Sequence, residues 1–140
     1  MAKTAAHVKT LTITPTRCTA CRTCELACSF RHGKPNAPAV PRIRAFDRGG
    51  VPENVVLTCF QCDDAACVRV CPAEALVRDV ATGAVVVSEL RCIGCGSCTV
   101  ACPFGQIEMD PVRLVAVKCN LCDGNPACAA FCPTKALEYR

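Results

Sequence analysis

Hydrophobic and polar positions alternate in this chain only over short distances, and no apolar stretch is long. The segment AEALVRDVATGAVVVSEL reads as a β-hairpin, with strands over Ala75–Val80 and Ala84–Ser88 and a turn at Thr82-Gly83. A second hairpin fits IEMDPVRLVAVK, turned at Asp110-Pro111. LTITP and ALEYR have the composition of short strands. Helical segments are brief, about two turns each, as at Ser97–Ala101 and Ala127–Phe131. The expected class is α+β, with short helices and small antiparallel hairpins. No apolar run approaches the roughly 20 residues of a membrane span, so direct membrane insertion is not expected.

The stretch from Arg31 to Asn54 fits none of these patterns. It holds four of the ten prolines and three of the eight glycines, and is expected to be loop with one short strand at Arg42–Phe46. A connector of this length is functional or disordered. Two readings stand: a surface that docks a partner, or a solvated linker.

Composition then changes the picture. Sixteen of the 140 residues are cysteine, Trp is absent, Tyr occurs once and Phe five times. A chain this short and aromatic-poor is a single small domain, or two half-domains sharing one core, and needs metal centres or disulfides to supplement that core. The opening MAKTAAHVKTLTITPTRC contains no secretory h-region and no twin-Arg signal, so a cytoplasmic location is expected. Cytosolic thiols stay reduced, which favours metal over disulfides.

The cysteines fall into four groups of four, with none left over. The first is Cys18, Cys21, Cys24 and Cys28. The second is Cys59, Cys62, Cys67 and Cys71, followed by Pro72. The third is Cys92, Cys95, Cys98 and Cys102, followed by Pro103, and the fourth is Cys119, Cys122, Cys128 and Cys132, followed by Pro133. Group three matches the bacterial ferredoxin run C-x2-C-x2-C-x3-C-P letter for letter. Three cysteines at three-residue steps wrap a loop around one iron–sulfur cube, while the fourth, on a short helix, points toward a second. Proline then ends that helix. Gly94 and Gly96 let backbone N–H groups approach the sulfides. Four [4Fe–4S] clusters are therefore expected. Each would carry a charge near −2, taking the formal +4 of the chain to about −4. Nucleic acid is accordingly not an expected partner.

Rival readings are weaker. Structural zinc sites pair two Cys-x2-Cys knuckles some fifteen residues apart, whereas four cysteines here crowd together four times over. Cysteines at three-residue steps in a tight loop cannot pair with one another without strain. A metallothionein-like thiolate store would lack the interleaved Val68, Val70, Ile93, Val100, Phe104, Ile107 and Phe131, which are expected to shelter the clusters. There is no Walker loop and no dinucleotide fingerprint. His7 and His32 lie outside the groups and are expected at the surface. Asp63-Asp64 reads as a helix N-terminus. Each cluster has four cysteines and no open iron, which favours a non-catalytic electron carrier; a regulatory or cluster-assembly protein is the rival of another class.

CRTCELAC, CFQCDDAACVRVCP and KCNLCDGNPACAAFCPTKAL carry a further resemblance. From Thr16 to Arg140 the chain resembles the four-cluster ferredoxin-like subunits of molybdenum, tungsten and nickel oxidoreductases of anaerobic metabolism. It departs from their ferredoxin run at Ser29, where proline is expected. The resemblance implies a duplicated ferredoxin-like fold: an inner half over 55–110, and an outer half from 10–54 plus 111–140. It implies crossed ligation, with one cluster on Cys18, Cys21, Cys24 and Cys132 and its mate on Cys119, Cys122, Cys128 and Cys28. The other two would sit on Cys59, Cys62, Cys67 and Cys102, and on Cys92, Cys95, Cys98 and Cys71. CELACSFRHGKPNAP is most similar to the small subunit accompanying tungsten aldehyde oxidoreductases, followed by hydrogenase- and carbon-monoxide-dehydrogenase-associated proteins. The implied partners are a catalytic tungsten, molybdenum or nickel subunit and a flavin- or NAD-linked subunit or ferredoxin. The two-ended row separately suggests self-association.

Overall fold

A computed structural model describes residues 8–140; His7 lies outside them. The elements in order are β1 (Leu11–Ile13), α1 (Thr23–His32), β2 (Ile43–Phe46), β3 (Val55–Thr58), α2 (Ala66–Arg69), β4 (Leu76–Arg78), β5 (Val85–Val87), α3 (Ser97–Ala101), β6 (Ile107–Met109), β7 (Ala116–Lys118), α4 (Ala127–Phe131) and β8 (Leu137–Tyr139). The strands form four two-stranded antiparallel sheets. Three are local hairpins. The fourth pairs β1 with β8, Leu11 opposite Tyr139 and Ile13 opposite Leu137.

Turn chemistry explains the local pairs. In β4–β5, the Gly83 N–H reaches the Asp79 carbonyl at 2.8 Å, with Gly83 at φ 73°. The Thr82 hydroxyl donates to the Asp79 carboxylate at 2.7 Å. In β6–β7, Asp110 Oδ1 accepts from the N–H groups of Val112 and Arg113 at 2.9 and 3.0 Å, an Asx turn. Helix lengths follow proline. Pro72, Pro103 and Pro133 lie just beyond α2, α3 and α4, which have four or five residues rather than two turns. Ser29 imposes no such stop, and α1 runs for ten residues to His32.

That extension changes the stretch expected to be loop. Its first residues belong to α1, and the strand expected at Arg42–Phe46 is β2, which pairs with the unexpected β3, Ile43 opposite Thr58. Asp47 to Asn54 form the connecting loop, where the Asp47 carboxylate accepts from Gly49 N–H at 2.8 Å.

Two apolar cores result. In the first, Ile43, Ala45, Val56, Ala136 and Leu137 gather around Cys24, Cys28, Cys128 and Cys132. In the second, Ala65, Leu76, Val85, Ile107 and Ala116 gather around Cys98. Burial of Ile43, Leu137 and Val85 contributes roughly 1.5–3 kcal/mol each. By core membership, Val56 belongs with residues before the second cysteine group and Ala116 with residues before the fourth. The first core thus draws on residues up to Val56 and from Cys128 onward, the second on residues between them.

Among the described residues, no helix is long and apolar enough to cross a membrane.

Candidate metal centres

Each cysteine group opens with the same backbone turn. Two residues after its first cysteine stands a residue of positive φ: Ala20 (55°), Gln61 (51°), Gly94 (72°) or Leu121 (56°). For a non-glycine residue this conformation costs about 1–2 kcal/mol. It aims the amide back at the sulfur, with N–H···S distances of 3.5 Å for Ala20–Cys18, 3.4 Å for Gln61–Cys59 and 3.5 Å for Leu121–Cys119. At Gly94 a Cβ would lie 2.6 Å from the Leu114 carbonyl oxygen, so only glycine fits. Further amides donate to sulfur from outside the groups: Arg42 to Cys28 at 3.3 Å, Ala75 to Cys71 at 3.2 Å and Ala116 to Cys92 at 3.4 Å. Backbone N–H groups converging on sulfur stabilise thiolates and sulfides.

The groups also close alike. After Cys71, Cys102 and Cys132 the chain passes through proline to a residue of positive φ, Glu74, Gly105 or Lys135. Its N–H returns to the cysteine carbonyl at 3.3–3.4 Å. Group one, with Ser29, continues as helix instead.

Folding brings thiols of different groups together. One cavity is lined by Cys18, Cys21, Cys24 and Cys132, with Ala45, Val56 and Ala136 as part of its wall. A second is lined by Cys59, Cys62, Cys67 and Cys102, walled by Ala65, Val85 and Ile107. A third is lined by Cys71, Cys92, Cys95 and Cys98, walled by Ala75, Leu76 and Ala116. The remaining four are electrostatic neighbours: thiolates at Cys119, Cys28 and Cys122 all raise the Cys128 thiol. All sixteen cysteines are free thiols. Among the described residues, no three His, Cys, Asp or Glu side chains converge on a point suited to a single metal ion. A further cleft of about 230 Å³, lined by His32, Arg42, Arg44, Glu108 and Arg113 among others, contains no cysteine.

Burial governs the thiols. It pushes Cys24 up to about 11, with the charges of Glu25, Cys18 and Cys21 adding to the effect. It pushes Cys128 up to about 12, reinforced by the neighbouring thiolates. Cys28 and Cys98 are raised for the same leading reason. Exposed Cys21 and Cys95 are lowered instead, by the hydroxyls of Thr23 and Ser97. Four thiolates gathered in an apolar pocket need positive charge at their centre, which iron supplies.

Arg42 gives an independent indication. Its Nη1 donates to the Lys118 carbonyl at 3.0 Å, but its buried Nε has no partner among the described residues. Its charge acts on Cys28, Cys119 and Cys122. A buried N–H without an acceptor is costly, and an anionic group on those cysteines would supply one. The donor set and its surroundings fit an iron–sulfur cluster.

Two expectations are corrected here. Of the residues expected to shelter the clusters, Ile107 is buried and Val68 is partly buried against the second core. Phe104 and Ile93, though partly exposed, line the second and third cysteine cavities as expected. Val70, Val100 and Phe131 are exposed, Val100 at 87%, and line none of the three. The short helices turn their cysteine face inward, and Val100, two residues beyond buried Cys98, falls on the opposite side. His32 is not a free surface residue. It is half-buried, its Nε2 is 3.5 Å from Cys122 Sγ, and burial lowers its pKa to about 4. Its position four residues after Cys28 on α1 was the signal, since that spacing shares a helix face. Asp63 and Asp64 lie in the turn before α2, with Asp64 Oδ1 3.3 Å from Arg69 Nε.

Residues 53–140 match the family described as the 4Fe-4S dicluster domain, and residues 15–31 match a 4Fe-4S binding domain. The chain belongs to the 4Fe-4S dicluster family. This ferredoxin-like chain is 47% identical over 122 residues to the polyferredoxin-like subunit of aliphatic sulfonate oxidoreductase from Pyrococcus furiosus, covering 86% of itself and 69% of that protein. It is 41% identical over 135 residues to the putative electron transport protein YsaA of Escherichia coli, covering 88% and 83%. It also superimposes on a chain of the active-site complex BamBC of benzoyl-coenzyme A reductase with a TM-score of 0.54 and 26% identity, covering 95% and 79%. Its relatives are thus named as electron-transport proteins and oxidoreductase subunits, in keeping with a non-catalytic iron–sulfur role.

Proposed function

We propose that this chain is an electron-transfer subunit with four [4Fe–4S] clusters, one on each crossed set of four cysteines, built as two ferredoxin-like halves. It relays single electrons between a catalytic oxidoreductase subunit and a redox partner. The catalytic subunit is of the tungsten or molybdenum aldehyde-oxidoreductase kind, and the redox partner is a flavin- or NAD-linked subunit or a ferredoxin. The observation that carries the reading is the gathering of Cys132 with Cys18, Cys21 and Cys24, of Cys102 with group two and of Cys71 with group three, each in one small cavity.

When bound, each cluster supplies a one-electron couple. The chain's own residues do the rest. Sixteen thiolates ligate, backbone amides of the left-handed turns donate to sulfur, and buried alanines such as Ala45, Ala75 and Ala116 bring the backbone close while excluding water. The likeness to subunits named for oxidoreductases supports a catalytic partner. CELACSFRHGKPNAP supports the tungsten type.

Metal analysis of the native complex, captured anoxically through this chain, tests the proposal. Iron near sixteen per copy with tungsten or molybdenum is expected. Iron with nickel would replace the partner by a hydrogenase or carbon-monoxide dehydrogenase. Zinc with little iron would overturn the cluster reading.

A further inference from the structure

Lys118, the last residue of β7, is only 4% exposed. An ammonium has three protons, and three acceptors surround this one: Gln61 Oε1 at 3.2 Å, the Cys119 carbonyl at 2.8 Å and the Val85 carbonyl. Gln61 is itself fixed. Its Oε1 accepts from Val85 N–H at 2.9 Å and its Nε2 donates to the Cys119 carbonyl at 2.8 Å. One amide and one ammonium thereby stitch the loop of group two to the loop of group four, across the seam between the two cores.

All three acceptors are neutral, and among the described residues no carboxylate lies within 4 Å of Nζ. A buried cation without a counter-charge is strongly disfavoured. The anionic groups at hand are the cysteine sets on either side. Cys119 is the next residue, and Lys118 itself lines the cavity that holds Cys59, Cys62, Cys67 and Cys102. Arg42, hydrogen-bonded to the Lys118 carbonyl, brings a second cation to the same seam.

We propose that Lys118 is a positioning and potential-setting residue. Its ammonium is the fixed counter-charge to the two clusters that adjoin the seam, on Cys59, Cys62, Cys67 and Cys102 and on Cys28, Cys119, Cys122 and Cys128. It raises their potentials above those the same clusters would have without it. This inference rests on the four-cluster reading above.

Redox titration of the anoxic holo-protein, followed by electron paramagnetic resonance, tests it on wild type, Lys118→Met and Lys118→Arg. In Lys118→Met, the reduced-to-oxidised ratio of two of the four centres at a fixed poise falls about tenfold, equivalent to 59 mV for a one-electron couple. The other two stay put, and Lys118→Arg stays within a few-fold of wild type. Equal shifts of all four centres, or none with iron content intact, would overturn the inference while leaving the cluster reading standing. If Lys118→Met loses iron, Gln61→Glu decides: by neutralising the ammonium in place it must lower the same two centres, and no shift there refutes the role. Wild-type protein without cluster signals would sink the underlying reading instead.

Discussion

Replacing Cys132 with alanine removes a thiol that belongs to group four by sequence but lines the cavity of Cys18, Cys21 and Cys24. Cys132 is 9% exposed, and deleting its sulfur leaves a void worth about 1 kcal/mol, too little by itself to unfold the chain. The loss of iron therefore reports on ligation. With crossed sets, Cys132→Ala and Cys21→Ala damage the same cluster, so the double variant loses about as much iron as the greater single loss, at most about four of about sixteen atoms. Cys132→Ala with Cys122→Ala damages two clusters, and the losses add, to about eight at most. Cys21 is exposed, so its removal adds little packing cost of its own. Iron and acid-labile sulfide per chain, measured after anoxic purification alongside spin integration of the reduced protein, give the ratio of double to single losses. The reverse pattern, additive for 132 with 21 and non-additive for 132 with 122, refutes crossed ligation in favour of one cluster per group.

Other perturbations are expected to act locally. Leu137→Ala, at a site 2% exposed in the first core, should cost about 2–5 kcal/mol and lower the chemical denaturation midpoint of the holo-protein; a change below 1 kcal/mol would mean this core is not what holds β8. Gly94→Ala combines φ 72° with a 2.6 Å approach to the Leu114 carbonyl and should speed iron loss to a chelator, whereas unchanged kinetics would show that the loop does not need its left-handed turn. Asp110 is held at about 2, below the usual carboxylate value of 3.8, first by the Arg113 and Val112 backbone N–H groups and then by the Arg113 side chain. A depressed carboxylate contributes stability that is present above its unfolded value and lost as pH falls through its folded one. The stability gap between wild type and Asp110→Ala should thus be flat from pH 8 to about 4 and narrow below that. A slope between pH 5 and 8, read from denaturation midpoints, contradicts the assignment.

Much of this arrangement was written in local chemistry. The α3 and α4 helices span the segments expected of them, because a cysteine run closed by proline leaves room for about one turn. The hairpins at Thr82-Gly83 and Asp110-Pro111 follow from turn residues whose side chains or φ angles do the turning. What sequence reading missed depended on tertiary partners. β3 is a four-residue run abutting Cys59, and it is a strand only because β2 lies opposite. The inward faces of the short helices are set by where the thiols gather, so Val100 and Phe131 emerged outside although both are apolar. His32 required knowing that α1 continues past Ser29, and nothing local to Lys118 marks it as buried. The surroundings of Lys118 were not legible without the seam between the cores.

The pairing of Leu11 with Tyr139 has a consequence for how the protein is made. The second core draws on no buried residue beyond Ala116, so its thiols can be enclosed as soon as that stretch emerges, before the first core is complete. The first core cannot close until residue 139 emerges. At roughly 5–20 residues per second, Cys18 and its neighbours wait on the order of ten seconds beside a nascent chain that has yet to supply Cys132. Oxygen, or a shortage of iron, during that interval strikes one half of the protein before the other.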